Sequence, residues 1–302
     1  MRTRRVGKSV TGTVLIMLLA GACGTSNPTG DSRKEVEPPV PANPPAVDPS
    51  TLSLPLDAYR STKAEQQTIH DGYSRLMVDC MKRYGFDYSP SRSTGYLEQR
   101  NTRRYGITDS THAAQRGYHP ASSVVEKRRS AAAKPAMSAS AQSVASGKGQ
   151  SKRNGRTVPV GGCNGEARRT LLQGLRQAPR LDLVDELALQ SYDRSLRHSK
   201  VVAAISAWSA CMAKSGYNYR TPSDANNDRV FNTDEPTAQE TATAVADVAC
   251  KKQTNLVGIW STVDIAYQKR LIEQNAQALD LVKRALTTEV KNAAAGRGIR
   301  SE

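Results

Sequence analysis

Large aromatic side chains are scarce in this chain. It has two phenylalanines and two tryptophans among 302 residues, and aromatics make up 5% in all. A core must therefore be filled by Leu, Val, Ile, Ala and Met. Runs of alternating β-branched residues are missing, so nothing marks a strand and the expected class is all-α. The βα alternation of a two-lobed solute trap is absent with them. No apolar run reaches the roughly 20 residues that a membrane-spanning helix needs. The four histidines, His70, His112, His119 and His198, have neither ligand spacing nor a nucleophile motif beside them. There is no G-x-S-x-G, S-x-x-K, H-E-x-x-H or P-loop. These absences argue against an enzyme and leave no cofactor site to name.

Cysteine is sparse but informative. There are five: Cys23, Cys80, Cys163, Cys211 and Cys250. An odd number leaves one over once four pair. No C-x-x-C or Cys/His set has zinc-ligand spacing.

What is present begins at the N-terminus. Arg2, Arg4, Arg5 and Lys8 precede an apolar stretch from Ser9 to Ala22, which is too short to span a membrane and reads as a cleavable signal over 1–22. Leu19-Ala20-Gly21-Ala22-Cys23 resembles a bacterial lipobox, with Ala20 as its one departure. That resemblance implies that Cys23 receives a diacylglyceryl group and palmitate-type acyl chains and becomes the first residue. The implied location is the extracytoplasmic face of the cell membrane, since two or three chains give stable anchoring. An ordinary secretory cleavage after Ala22 is the alternative. Thr3-Arg4-Arg5 begins a twin-arginine pattern that Val6-Gly7-Lys8 does not continue, so both export routes stay open.

Seven prolines fall between residues 24 and 50. The stretch 23–52 is expected to be a tether, part polyproline II, reaching roughly 80 Å when extended. The remainder, 53–302, reads as a helical domain.

The formal net charge is +15, and from Ser91 to Arg156 there are 13 Lys plus Arg against three acids. On an exported chain such a stretch points to anionic lipid or wall polymer, not to nucleic acid. A solvated loop is the plainer reading. Residues 130–157 are rich in Ser, Ala, Gly and Lys without periodicity, so a disordered basic insertion is expected at about 120–160.

Helical periodicity is strong elsewhere. Ile69, Tyr73, Leu76, Met77, Cys80 and Tyr84 share one face of a helix expected over 57–84, although Thr62-Lys63-Ala64-Glu65 has capping-box form inside that run. Short helices are expected at 97–105, closed by Gly106, and at 109–116, closed by Gly117. Others are expected over 167–177 and 183–215, with Asp182 as N-cap and Ser199 opening a second segment. The last helix opens at Pro236 with Thr237-Ala238-Gln239-Glu240 as a capping box and extends toward Ala295. At roughly 85 Å it should break near Gly258 or fray after Leu286.

Two segments repeat: Cys80-Met81-Lys82-Arg83-Tyr84-Gly85-Phe86 and Cys211-Met212-Ala213-Lys214-Ser215-Gly216-Tyr217. Each reads as a helix end with glycine in the left-handed position and the next aromatic folding back on the methionine. The copies span about 57–179 and 182–293. Each is followed by one later cysteine, so Cys80–Cys163 and Cys211–Cys250 are the preferred pairs among three connectivities.

The lipobox, these repeats and Ala246-Asp247-Val248-Ala249-Cys250 together resemble actinobacterial-type exported lipoproteins with C-M-x-x-x-G-aromatic repeats. The resemblance implies an architecture and brings no activity.

One loop has calcium-ligand spacing: Asp224, Asn226, Asp228 and Glu235, with Arg229 where glycine belongs and Pro236 after the last ligand. A polar surface loop is the preferred reading. The expected role is a lipid-anchored helical protein that binds or scaffolds at the cell envelope. The alternative is an accessory subunit of a membrane transporter or sensor, contacting a membrane-protein partner.

Overall fold

Thr62 opens the first long helix. The Glu65 carboxylate accepts from Thr62 N at 2.8 Å and the Thr62 hydroxyl accepts from Glu65 N at 3.2 Å. The capping box inside the expected 57–84 run is thus the start of the helix; ahead of it lie a 3-10 turn, Pro55–Tyr59, and extended Arg60. The structure is a computed structural model that describes residues 36–90, 100–121, 137–149 and 151–296. Cys23, the signal and Lys127 to Lys134 lie outside the described residues.

Ten α-helices follow one another among the described residues: α1 Lys63–Arg83, α2 Ser110–Arg116, α3 Ala139–Ser146, α4 Gly162–Leu171, α5 Leu183–Arg197, α6 Ser199–Lys214, α7 Pro222–Asn226, α8 Ala238–Gln253, α9 Leu256–Gln274 and α10 Ala276–Ala294. The only strands described are the two-residue hairpin Lys152–Arg153 and Arg156–Thr157. The fold is an all-α, disulfide-bonded bundle. No described helix is long and apolar enough to cross a membrane.

Both repeat copies stop their helices as the glycine spacing predicts. Gly85 and Gly216 have φ of +78° and +84°. Phe86 N bonds to Met81 O at 3.1 Å and Tyr217 N to Met212 O at 2.9 Å, the six-to-one closure of a Schellman stop. Cys80 is bonded to Cys163 and Cys211 to Cys250. The first bond joins α1 to the opening turn of α4; the second joins α6 to the last turns of α8. Around the first, Met77, Met81, Val144, Ala167 and Leu171 form an apolar cluster. Around the second, Trp208, Met212, Val248, Trp260 and Val263 form another. A third, with Leu56, Leu187, Leu271 and Leu279, lies between α5, α9 and α10.

The C-terminal run is helical to Ala294, without fraying at Leu286, and is jointed twice. Asn255, in the left-handed region at φ +49°, separates α8 from α9, and Asn275 separates α9 from α10. Gly258 does not make the joint. A Cβ there would stand 2.3 Å from Pro45 O, so the glycine admits another piece of backbone.

That backbone belongs to the proline-rich stretch. From Glu37 to Leu52 it is a docked strap, not a free tether. Val40, Val47 and Leu52 pack on the Trp208 cluster. Proline offers no N–H, so the strap gives carbonyls and the bundle supplies donors. His198 Nε2 donates to Pro38 O, Lys200 Nζ to Ala42 O, Asn255 Nδ2 to Pro44 O and Asn101 Nδ2 to Leu52 O, at 2.8 to 3.3 Å. Glu37 caps α6, accepting from Ser199 N at 2.7 Å and from its hydroxyl at 2.6 Å.

Three further expectations change. Residues 100–105 form turns, not a helix, because Gly106 at φ +82° bends the chain and Arg104 and Tyr105 point inward. The helix expected to reach Gln177 ends at Leu171. Within the basic insertion, the described residues 137–149 and 151–157 are ordered. Ala141, Val144 and Ala145 make a buried i, i+3, i+4 face on α3, and Gly147 lets that helix end abut the start of α4, where a Cβ would meet Gly162 N at 2.3 Å.

Candidate functional site

Charged side chains are buried on α8 and α9, and the segment 100–121 supplies their partners. Glu240, Asp247 and Lys251 lie seven and four residues apart, on one face of α8. Asp264 and Gln268 repeat the four-residue step on α9. All five are essentially inaccessible. A buried ion persists only where it is paired and hydrogen-bonded.

Asp264 is the centre of the first cluster. It accepts from Arg104 Nε at 2.6 Å, from the Tyr105 hydroxyl at 2.8 Å and from Gln268 Nε2 at 3.1 Å. Arg104 also donates to Ala188 O at 2.8 Å and to the Ser191 hydroxyl at 3.2 Å on α5. Burial works against the Arg104 charge, and Asp264 outweighs it, so the guanidinium pKa is raised. Burial, with Asp264 alongside, pushes the Tyr105 phenol well above its ordinary range.

Asp247 and Lys251 form the second cluster, 2.8 Å apart and both buried. Lys251 Nζ donates to Ile107 O at 2.9 Å, and Trp208 Nε1 to Asp247 at 2.9 Å. Gly106 makes room: a Cβ there would stand 2.7 Å from Lys251 Nζ. Burial pushes the Asp247 pKa up and the Lys251 pKa down, each resisted by the other.

The third cluster closes the far end of the segment. Glu240 Oε1 accepts from Tyr118 N and from His119 Nδ1, both at 2.8 Å. His119 Nε2 donates to Thr233 O at 2.7 Å. The carbonyl bond to Thr233, with help from Glu240, outweighs burial and raises the His119 pKa above 6.5. Glu240 thus leaves the expected capping box; Thr237 alone caps α8 with its hydroxyl.

Beside the first cluster lies a cavity of about 360 Å³ between α5, α6, α7 and the 103–106 turn. Its inner wall is aromatic. Trp260 lies 5.3 Å from both Tyr105 and Tyr192, and Arg104 sits 5.3 Å over the Tyr192 ring. Leu196, Ile205, Thr221, Ser223, Asn226 and Arg103 complete the lining.

The calcium-like loop does not converge. Asp224 closes a capping box with Thr221, Asn226 lies in α7, Asp228 accepts the Tyr219 hydroxyl at 2.7 Å, and Glu235 pairs with Arg116 at 2.9 Å. Burial and the Asp228 bond push the Tyr219 phenol up to about 12. No group of three or more His, Cys, Asp or Glu is placed to hold a metal among the described residues.

The basic stretch also divides. Arg100, Arg104 and Arg116 pair with Asp57, Asp264 and Glu235, and Arg103 donates to Tyr118 O and His119 O. Lys148, Lys152 and Arg156 are exposed. The inward charges were missed in the sequence, although the spacing of Glu240, Asp247 and Lys251 among buried Thr243, Ala244 and Val248 was a signal for them. Compared with protein-family models, curated proteins and solved structures, the chain matches none.

Proposed function

We propose that this is a lipid-anchored protein of the extracytoplasmic membrane face, held by acyl chains on Cys23, which binds or scaffolds at the cell envelope. The cysteine arrangement carries the reading. Four cysteines are paired across the bundle, which suits an oxidising compartment. The fifth stands in the lipobox-like segment. Lys148, Lys152 and Arg156 are the exposed cations that would meet anionic lipid or wall polymer. Membrane fractionation of Cys23→Ala tests the anchor. Release into the soluble extracytoplasmic fraction is expected, and full retention in the membrane would overturn it. Crosslinking in intact cells that returns one recurrent membrane protein would make this an accessory subunit instead.

A further inference from the structure

We infer that the basic hairpin 151–158, with Lys148 and Val160 at its flanks, docks on an anionic lipid surface. From Met137 to Gly165 the chain carries four cations, Lys148, Lys152, Arg153 and Arg156, and no acid. The next acid, Glu166, is taken by Arg83. Lys148, Lys152 and Arg156 are exposed. Their charged groups have no hydrogen-bond or ion-pair partner among the described residues. Arg169, exposed on α4, adds a charge beside Val160, to whose carbonyl it donates at 2.8 Å. Each cation brought close to an anionic lipid surface strengthens binding about fivefold.

The hairpin is held in place, so its charges are presented together at little cost in chain freedom. Val158 N donates to Ser151 O at 2.9 Å at its base, and Lys152 pairs with Thr157 and Arg153 with Arg156 above. The Tyr84 hydroxyl donates to Thr157 O at 2.6 Å and Asn154 Nδ2 to Tyr84 O at 3.3 Å, which rests the hairpin on the end of α1. Arg153 lies 4.6 Å over the Phe86 ring. Arg153 and Arg156 stand directly opposite, an arrangement of like charges that repels and that an anion relieves. The Val160 carbonyl is turned to α4, where Arg169 donates to it and a Cβ on Gly165 would stand 2.4 Å away. The valine side chain is left 86% exposed. A soluble polyanion offers nothing to bury it; a lipid interface accepts apolar side chains among cations. The valine therefore favours lipid over wall polymer.

The inference deepens the envelope reading and rests on it for the partner, not for the acyl anchor. The test is co-sedimentation of the purified full mature chain carrying Cys23→Ala with vesicles of phosphatidylglycerol and phosphatidylcholine, and with vesicles of phosphatidylcholine alone. Binding to the anionic vesicles only, weakened by salt, is expected. Lys148→Gln, Lys152→Gln and Arg156→Gln together should weaken it about a hundredfold. Val160→Ala should weaken it about tenfold, for two carbons withdrawn from the interface. All four side chains are exposed, and an unchanged unfolding midpoint checks that the variants fold. Removing the same charge at Lys63, Lys214 and Lys252, exposed elsewhere on the bundle, should weaken binding far less. No vesicle binding, equal binding to neutral vesicles, or equal loss from the two triple variants would overturn the surface. Binding to soluble polyphosphate as tight as to vesicles, with Val160→Ala without effect, would replace the lipid by a polyanion. The contact is reversible and screened by salt, so it does not by itself retain Cys23→Ala on washed membranes. Failure in vesicles thus leaves the Cys23 anchor standing, and a chain without acyl groups in cells leaves the vesicle result standing.

Discussion

The two copies of the Cys-Met motif end their helices alike and then build different cores. Around Cys80–Cys163 the buried face is apolar. Around Cys211–Cys250, aromatic packing surrounds Asp247, Lys251, Glu240 and Asp264. These charges cannot be buried alone. Their partners come from Arg104, Ile107, Tyr118 and His119, which lie in sequence between Cys80 and Cys163. The stretch that interrupts the first copy therefore completes the second. The exchange runs both ways: Ala293, at the end of α10, packs over Gly72 on α1, where a Cβ would stand 2.6 Å from the alanine methyl. A shared stop motif sets where helices end. The buried face next to it decides what else must dock.

Breaking the second core at its charged centre should cost most. Asp264→Ala leaves the largely buried Arg104 guanidinium unpaired and should destabilise by about 3–5 kcal/mol in urea unfolding. Asp264 and Arg104 both replaced by leucine should recover much of that loss, because the uncompensated charge is gone. Additive losses would show that the two act separately.

The disulfides come next and rank the halves. By chain entropy, the 83-residue separation of Cys80–Cys163 contributes about 4.5 kcal/mol and the 39-residue separation of Cys211–Cys250 about 3.9 kcal/mol. Serine pairs at each bridge, compared by denaturant midpoint, should follow that order. A reversed order would mean that residual structure or strain outweighs loop length.

Gly258→Leu should cost about 1–3 kcal/mol by pushing on Pro45 O. Its signature is new protease cleavage within 37–52, with the disulfide cores still protected. Uniform loss of protection would mean that the strap is not a separate docking element.

The helix stops should respond more weakly. Gly216→Ala forces a left-handed alanine and should cost about 1–2 kcal/mol. Gly85→Ala should cost more, since its Cβ would also approach Asn154 Nδ2 at 3.3 Å. Equal costs would make the two stops interchangeable.

The smallest effect is the pH dependence of the second half. The His119 pKa is raised on folding. Its stabilisation is therefore full below pH 6.5, the unfolded value, and is lost as pH rises through the higher folded value. His119→Gln should flatten that part of the stability profile; an unchanged profile would place its cause elsewhere.

Much of the helical frame was legible in the sequence, because apolar spacing, Asp109, Ser199, Gly85 and Gly216 are local signals. The strap was not, since proline content gives the conformation of a segment and not its partner. The donors His198 and Asn255 lie far away in sequence. The order of α3 was hidden because its buried face consists of Ala141, Val144 and Ala145, side chains that composition counts as filler. The candidate cavity was illegible for a similar reason. Tyr105, Tyr192 and Trp260 come from three separate segments, and the bonds of Arg104 and Tyr105 to Asp264, Ala188 O and Ser191 bring the turn against α5 and α9.

Intact-mass spectrometry of the protein extracted from membranes, with and without alkylation, tests the central claim most directly. The account predicts a chain beginning at Cys23, heavier by a diacylglyceryl group and acyl chains, with no thiol open to alkylation before reduction and four afterwards. A chain that retains residues 1–22, or one with four thiols already open, would contradict it.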